Sequence, residues 1–402
     1  MENTERQGVA NLTGKLNTLG EEDLSVSPRR TSRFCTSLLQ ELMDCLDNWH
    51  GEDNWDFVRF GPVRRSLIDS ITDELMKLLT RKGITVWPRH LNLQVKTALS
   101  QLEGHMEGLA RVYDLLEDEA SKSMLVKVVA YRIMGFRKVK LPLNNPSYWS
   151  TRNLVTSLAN KNDTVKTSFL NCRLNRYQLD KIGIPLDLYS RVPAITSVFV
   201  LKQYEYCKTT SPIKAQYGDY VIDAGGGWGD TALYFAREVG SEGKIFTFEF
   251  MPSNLDAMLR NFYLSASLKR RIEIIRKALW CESGLSLFFV DKGPASRART
   301  EPTGDLDLSI KALSIDDFVR KRRLPRVDFI KMDIEGAELN ALKGAVQTIK
   351  RHRPRVAISL YHSLDDLVEI PQFLSSLNLG YRFYLDHFTI HKEETILFGV
   401  SE

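Results

Sequence analysis

The stretch Tyr220-Val221-Ile222-Asp223-Ala224-Gly225-Gly226-Gly227-Trp228-Gly229-Asp230-Thr231 limits the fold more than any other part of this chain. A short apolar run with a β-branched pair predicts a buried strand. The pattern from Ala232 to Arg237 predicts a helix, and four glycines join the two. Glycine at a strand-to-helix turn lets backbone N–H groups approach a ligand that a Cβ would hold off. The helix N-terminus adds partial positive charge there. The stretch therefore predicts a nucleotide-type ligand site in an α/β sheet.

Spacing narrows the ligand. A dinucleotide fingerprint G-x-G-x-x-G would need glycine at 230 or 232, where the chain has Asp230 and Ala232. What fits is acidic-x-Gly-x-Gly-x-Gly, through Asp223, Gly225, Gly227 and Gly229, which resembles motif I of class I S-adenosylmethionine-dependent methyltransferases. Glu249 ends the next apolar strand, twenty residues beyond Gly229. A carboxylate there in a doubly wound fold accepts the ribose hydroxyls.

With 402 residues, 43% of them hydrophobic, the chain can bury a sizeable core and is expected to form two domains. Its net charge of +5 comes from 55 basic and 50 acidic residues, too balanced for a nucleic-acid footprint. The five cysteines are odd in number and lack C-x-x-C spacing, which speaks against a disulfide framework or a zinc site. No apolar run reaches the ~18 residues of a membrane span, and the N-terminus lacks an apolar signal core, so a cytoplasmic protein is expected.

Residues 1–30 are polar and without period, and read as a disordered tail. Residues 31–190 read as a mainly helical domain. Its helical stripes run through Phe34, Leu38 and Leu42; through Leu67, Ile71 and Leu75; and, in one long segment, from Val95 to Leu116. A fourth helix, Glu119 to Met134, has Gly135 as its stop. These stripes predict a core, with a partner surface or a homodimer contact as the alternative. The segment from Tyr148 to Tyr217 is the least legible, and its apolar run Ala194 to Leu201 suits a strand or a buried helix equally. It could cover a substrate pocket.

From 191 to 402, strands are expected at 220–224, 244–249, 272–276, 327–332, 355–360, 380–385 and 395–400, alternating with helices. The last two lie close enough to form an antiparallel edge pair. The fold class is therefore α/β: a seven-stranded, mostly parallel Rossmann-like sheet of the class I methyltransferase type, plus the helical N-terminal domain. Short extra strands near 285–290 and 309–313 would flank a mobile loop, Gly293 to Asp307.

Strand four ends in Lys331-Met332-Asp333-Ile334-Glu335-Gly336-Ala337-Glu338, and this stretch closely resembles the signature of the FkbM family of methyltransferases. The resemblance extends to Glu249 with Pro252 and Asn254, to Ala278-Leu279, and to Leu313 with Asp316-Asp317. It implies S-adenosylmethionine as cofactor, held by Asp223, Gly225, Gly227, Trp228, Gly229, Thr231, Glu249, Asn254 and Ala278. It also implies a hydroxyl acceptor on a sugar, polyketide or other small metabolite. Two departures stand out: Gly226-Gly227-Trp228 replaces the common Ala-Asn-aliphatic, and Phe250-Met251 separates Glu249 from Pro252. Trp228 could reshape the pocket wall.

An alcohol's proton, with a pKa near water's ~15.7, must leave as the new bond forms, so a base is needed. The candidates are Asp333, Glu335, His362 and His387, with His362 favoured. Each also has a structural reading: orienting a turn, capping a helix, or sitting in an exposed hairpin. Asp333 with Asp366 could instead hold magnesium, but Asp365-Asp366 suits a helix start equally well, and no metal is expected. N-methylation of an amine or peptide, and a non-catalytic protein that retains the fold, remain the rival functions.

Overall fold

The computed structural model describes residues 32–401, apart from 51, 62–74, 76, 77, 80–88, 168–172, 294, 303 and 305–307. The expected tail, most of the Leu67–Leu75 stripe and parts of the Gly293–Asp307 loop fall outside these residues.

The chain's central strand, β4 (Tyr220–Ala224), is followed by a helix at Asp230–Glu238 and by β5 (Lys244–Phe248), a helix at Pro252–Leu264 and β6 (Ile272–Ile275). The chain then crosses back to β9 (Phe329–Met332), β10 (Arg355–Ser359), β11 (Tyr381–His387) and β12 (Thr395–Ser401). These form one seven-stranded sheet in the order β11-β12-β10-β9-β4-β5-β6. All seven strands keep the expected positions at their cores, and β12 runs antiparallel to both β10 and β11, as the short link between the last two strands required. The reversal of strand order lies between β4 and β9, where Val221 pairs with Phe329 and Ala224 with Met332. Such a switch point opens a crevice at the carboxyl ends of the strands. The two expected short strands form as β7 (Ser286–Phe289) and β8 (Leu308–Lys311), which pair antiparallel with each other.

The N-terminal part departs from a separate helical domain in three ways. First, the helix at Glu119–Met134, capped by Asp118 and stopped by Gly135 at φ 74°, is buried on nearly all sides. It therefore lies inside the protein. It packs on β11: Leu385 N–H donates to Ser121 Oγ (2.9 Å) and Glu117 N–H to Phe383 O (2.9 Å). Leu125, Val129 and Phe34 share one continuous core with Ile358, Phe383 and Leu397 of the sheet. The apolar stripes are thus covered within the chain, and the helix shields a sheet edge that would otherwise be open to pairing.

Second, the segment from Val95 to Leu116 is two helices, Arg89–Glu103 and Met106–Leu115, broken at Gly104-His105. Third, the described residues of 159–190 are mainly strand, with one 3-10 turn at Leu179–Ile182. The strands form an antiparallel sheet of β1 (Ala159–Lys166), β2 (Arg173–Gln178) and β3 (Asp187–Ser190). β1 is almost wholly polar, so it carries no alternation from which a strand could be read. The ambiguous run after Ala194 is a π-helix, Ile195–Val200, buried against the Asp230–Glu238 helix. No helix among the described residues is long and apolar enough to cross a membrane.

Candidate active site

The crevice between β4 and β9 opens into a cleft of about 520 Å³. Gly225, Gly227, Trp228, Thr231 and Glu249 line one side, and Asp333, Glu335 and His362 the other. A smaller recess of about 60 Å³ continues past Glu249 to Asn254 and Ala278.

The glycine turn is built by close approach. At Gly225, φ 85°, a Cβ would stand 2.0 Å from the Asp333 carbonyl oxygen, so only glycine permits β4 and β9 to end this close. Gly227, φ 49°, has nothing within 4 Å of the corresponding position: its bare Cα faces open space. Gly229 differs again. It is absent from the cleft wall, and a Cβ there would meet Phe262 at 2.8 Å, so it serves helix packing instead of ligand contact.

Asp223 also differs from its expected role. It is fully buried beneath the turn, where it accepts hydrogen bonds from Thr231 Oγ1 (2.9 Å) and Thr247 Oγ1 (2.8 Å) and pairs with Lys331 Nζ (3.2 Å). Lys331 also donates to the Ala224 and Gly225 carbonyls (3.1 and 2.6 Å). Its buried charge is thus compensated on every side, and the pair fixes the turn rather than touching a ligand.

Glu249 is anchored by its own helix start. Its Oε1 accepts from the N–H groups of Phe250 and Met251 (2.7 and 2.8 Å), and its Oε2 accepts from Asn254 Nδ2 (3.0 Å). Burial pushes its pKa up, while these donors and the Gly227 N–H oppose that. A carboxylate oxygen has about two lone pairs, so Oε2 keeps acceptor capacity for a ribose hydroxyl. Asn254 Oδ1 is buried with no partner in the protein. A bare Gly227, an acceptor at Glu249, an orphaned amide oxygen and the apolar recess at Ala278 together fit a nucleoside-bearing ligand.

Opposite this side, the strand-four acids surround an imidazole. His362 Nε2 lies 3.4 Å from Asp333 Oδ1 and 3.6 Å from Glu335 Oε2, and its Nδ1 lies 3.2 Å from Glu338 Oε1. Burial lowers its pKa, but the Glu338, Asp333 and Glu335 carboxylates outweigh this and raise it to about 9. The surrounding carboxylates therefore favour the protonated imidazole at neutral pH, the form that cannot accept a proton, whereas the sequence favoured His362 as the base.

Glu335 occupies left-handed backbone at φ 58°. Burial raises its pKa to about 7, aided by Asp333 and Glu338 and opposed by His362. Glu338, fully buried, accepts the N–H groups of Ile334 and Gly336 (2.7 and 2.9 Å) and shapes the turn. Asp333 accepts from Tyr361 Oη (2.9 Å) and Tyr204 Oη (3.4 Å).

Two expected residues lie elsewhere. His387 is buried in the β11–β12 hairpin, with Nδ1 2.9 Å from Thr395 Oγ1 and Nε2 3.3 Å from Thr389 Oγ1. Burial lowers its pKa to about 4, and it does not line the cleft. Asp366 closes a capping box with Ser363 at the start of the Leu364–Ser376 helix. Among the described residues, the side chains close enough to share an ion are Asp333, Glu338 and His362, and Asp366 is not one of them. Sequence reasoning gave no role to Tyr361, which directly precedes His362, or to Glu338 of the strand-four signature. Tyr204 carried no signal.

A seven-stranded sheet of this order, with a glycine turn facing acids across the switch point, defines a class I methyltransferase domain. Residues 213–383 match the family described as the methyltransferase FkbM domain. The matched part, less than half of the chain, is a methyltransferase domain of the S-adenosylmethionine-dependent kind. The chain is similar to a curated methyltransferase, sdnD of Sordaria araneosa: 27% identity over 191 residues, covering 39% of this chain and 71% of that protein. Among solved structures it is similar to a methyltransferase FkbM from Methylobacillus flagellatus KT (17% identity, TM-score 0.49, 83% of this chain and 71% of that one). It is also similar to the fibrillarin of Aeropyrum pernix, solved with natively bound S-adenosyl-L-methionine (14% identity, TM-score 0.34, 59% of this chain and 99% of that one).

Proposed function

We propose that this chain methylates a hydroxyl group on a small molecule, with Glu335 as the proton acceptor. The observation that carries this reading is the charge arrangement at the end of β9. A carboxyl whose pKa is raised to about 7 lines the cleft facing the glycine turn, beside an imidazole that is charged at neutral pH. The efficiency of a general base is greatest when its pKa lies near the working pH.

Gly225 and Gly227 would leave room for the cofactor's backbone-facing side. Glu249 would take its ribose, with Asn254 and Ala278 beside the base. Trp228 and Thr231 line the same wall. S-adenosylmethionine supplies an activated methyl group and its own leaving group. The residues opposite would hold the acceptor oxygen for in-line transfer, which needs an approach near ~3 to 3.5 Å. Were the methyl passed to the acceptor oxygen, with the C–S electron pair leaving on sulfur, Glu335 would take the hydroxyl proton and later release it to solvent. His362 stays protonated and keeps three carboxylates together, while Tyr361 and Tyr204 hold Asp333.

Calorimetric titration with S-adenosylmethionine, S-adenosylhomocysteine and NAD, followed by an acceptor screen, tests the reading. Binding of the two sulfur ligands but not NAD, and methyl transfer to hydroxyls in preference to amines, is the expected result. NAD binding, or preferential N-methylation, would overturn it.

A further inference from the structure

A second chamber of about 570 Å³ adjoins the cleft and shares Phe60, Lys392 and Glu393 with it. Nothing in the chemistry above uses it. Aromatic rings form much of its wall. Trp55 meets His391 edge-on at 4.9 Å and Phe136 at 4.9 Å, while Phe60 meets His391 at 4.8 Å. Phe60, at the junction, remains 41% exposed despite these contacts, an uncovered ring between two cavities.

Two donors on the Glu119–Met134 helix line the chamber without a hydrogen-bond acceptor, although the Glu393 carboxylate in the same wall acts on both through its charge. The Asp56 N–H donates to His391 Nε2 (3.0 Å), so that nitrogen is an acceptor. Burial lowers the pKa of His391 to about 4, so the ring is neutral and carries its proton on Nδ1. Nδ1–H therefore donates to Tyr131 Oη (2.6 Å), and the phenol's own hydrogen is left to donate elsewhere. Next to it, Arg132 Nε is buried with no partner, although Nη2 donates to the Tyr361 carbonyl (3.0 Å). Buried donors without acceptors are costly unless a ligand or water meets them.

The glycine side of the cleft is given to the cofactor, and the chamber joins the cleft through Phe60, Lys392 and Glu393, away from the glycine turn. We infer that the chamber seats the body of the methyl acceptor, a planar aromatic ring system bearing a carboxylate or carbonyl oxygen that Tyr131 and Arg132 bind. This rests on the methyltransferase reading above. Its reactive hydroxyl passes Phe60 to reach Glu335. The aromatic walls favour flat rings by edge and face contacts, and the two donors favour an oxygen acceptor.

The test uses the full chain saturated with S-adenosylhomocysteine, titrated calorimetrically with naphthalene-2-carboxylate, with naphthalene-2-methanol and with methyl glucoside. The carboxylate is expected to bind most tightly and the glucoside not at all. Gln101→Trp, at an exposed helix position, and Ala98→Trp would fill the chamber and abolish binding while leaving S-adenosylhomocysteine affinity unchanged. Tyr131→Phe would weaken the carboxylate by about tenfold. No carboxylate binding by protein that binds S-adenosylhomocysteine, undiminished binding in both tryptophan variants, or equal binding of the glucoside would overturn the assignment. Failure of the wild type to bind S-adenosylhomocysteine would instead strike the cofactor reading, and this inference with it.

Discussion

Replacing His362 with glutamine isolates the charge at the centre of the site. The imidazole side chain is only 3% exposed and lies among Asp333, Glu335 and Glu338. Its pKa moves from 6.5 to about 9 on folding. A raised folded-state pKa contributes stability that is fully present below 6.5 and is lost as pH rises through about 9. Integrating between those two values gives about 2 to 3 kcal/mol at pH 7 and close to zero at pH 10. His362→Gln should therefore unfold in urea with a stability lower by about 2 to 3 kcal/mol at pH 7. The gap to the wild type should nearly close at pH 10. A gap of the same size at both pH values would refute the reasoning, because packing alone, and not the imidazolium, would then be responsible.

The pH profile of kcat/KM should rise through about 7, as Glu335 loses its proton, and fall through about 9, as His362 loses its own. These limbs belong to the coupled pair. Glu335→Gln should cut turnover by about 10²- to 10⁴-fold and erase the acid limb while S-adenosylmethionine still binds; an intact acid limb would exclude Glu335 as the base. Glu249→Ala should weaken S-adenosylmethionine by about 1 to 3 kcal/mol in calorimetry, and unchanged affinity would remove that carboxylate from the site. Gly225→Ala should destabilise the fold itself, since its Cβ would meet the Asp333 carbonyl oxygen at 2.0 Å. Wild-type thermal stability in that variant would show that β4 and β9 do not end in contact.

Much of this architecture is set by local pattern. The strand, glycine turn and helix from Tyr220 onward, the seven strands and the Gly135 stop all follow from short-range periodicity and backbone freedom, which are encoded within a dozen residues of each feature. The acids of strand four were visible for the same reason: they occupy one continuous stretch ending in the crevice. What tertiary structure alone decided is who meets whom and in which charge state. Asp223 and Gly229 carry the spacing of a binding motif, yet Lys331 and Phe262, far away in sequence, claim them for support. His362 was a plausible base until three carboxylates gathered around it and fixed its proton. His387 lost its claim to burial between two threonines. The N-terminal helices looked like a domain of their own because a stripe of leucines does not name its partner. Here that partner is the sheet edge more than two hundred residues away, since burying both apolar faces together removes more surface from water than leaving either alone.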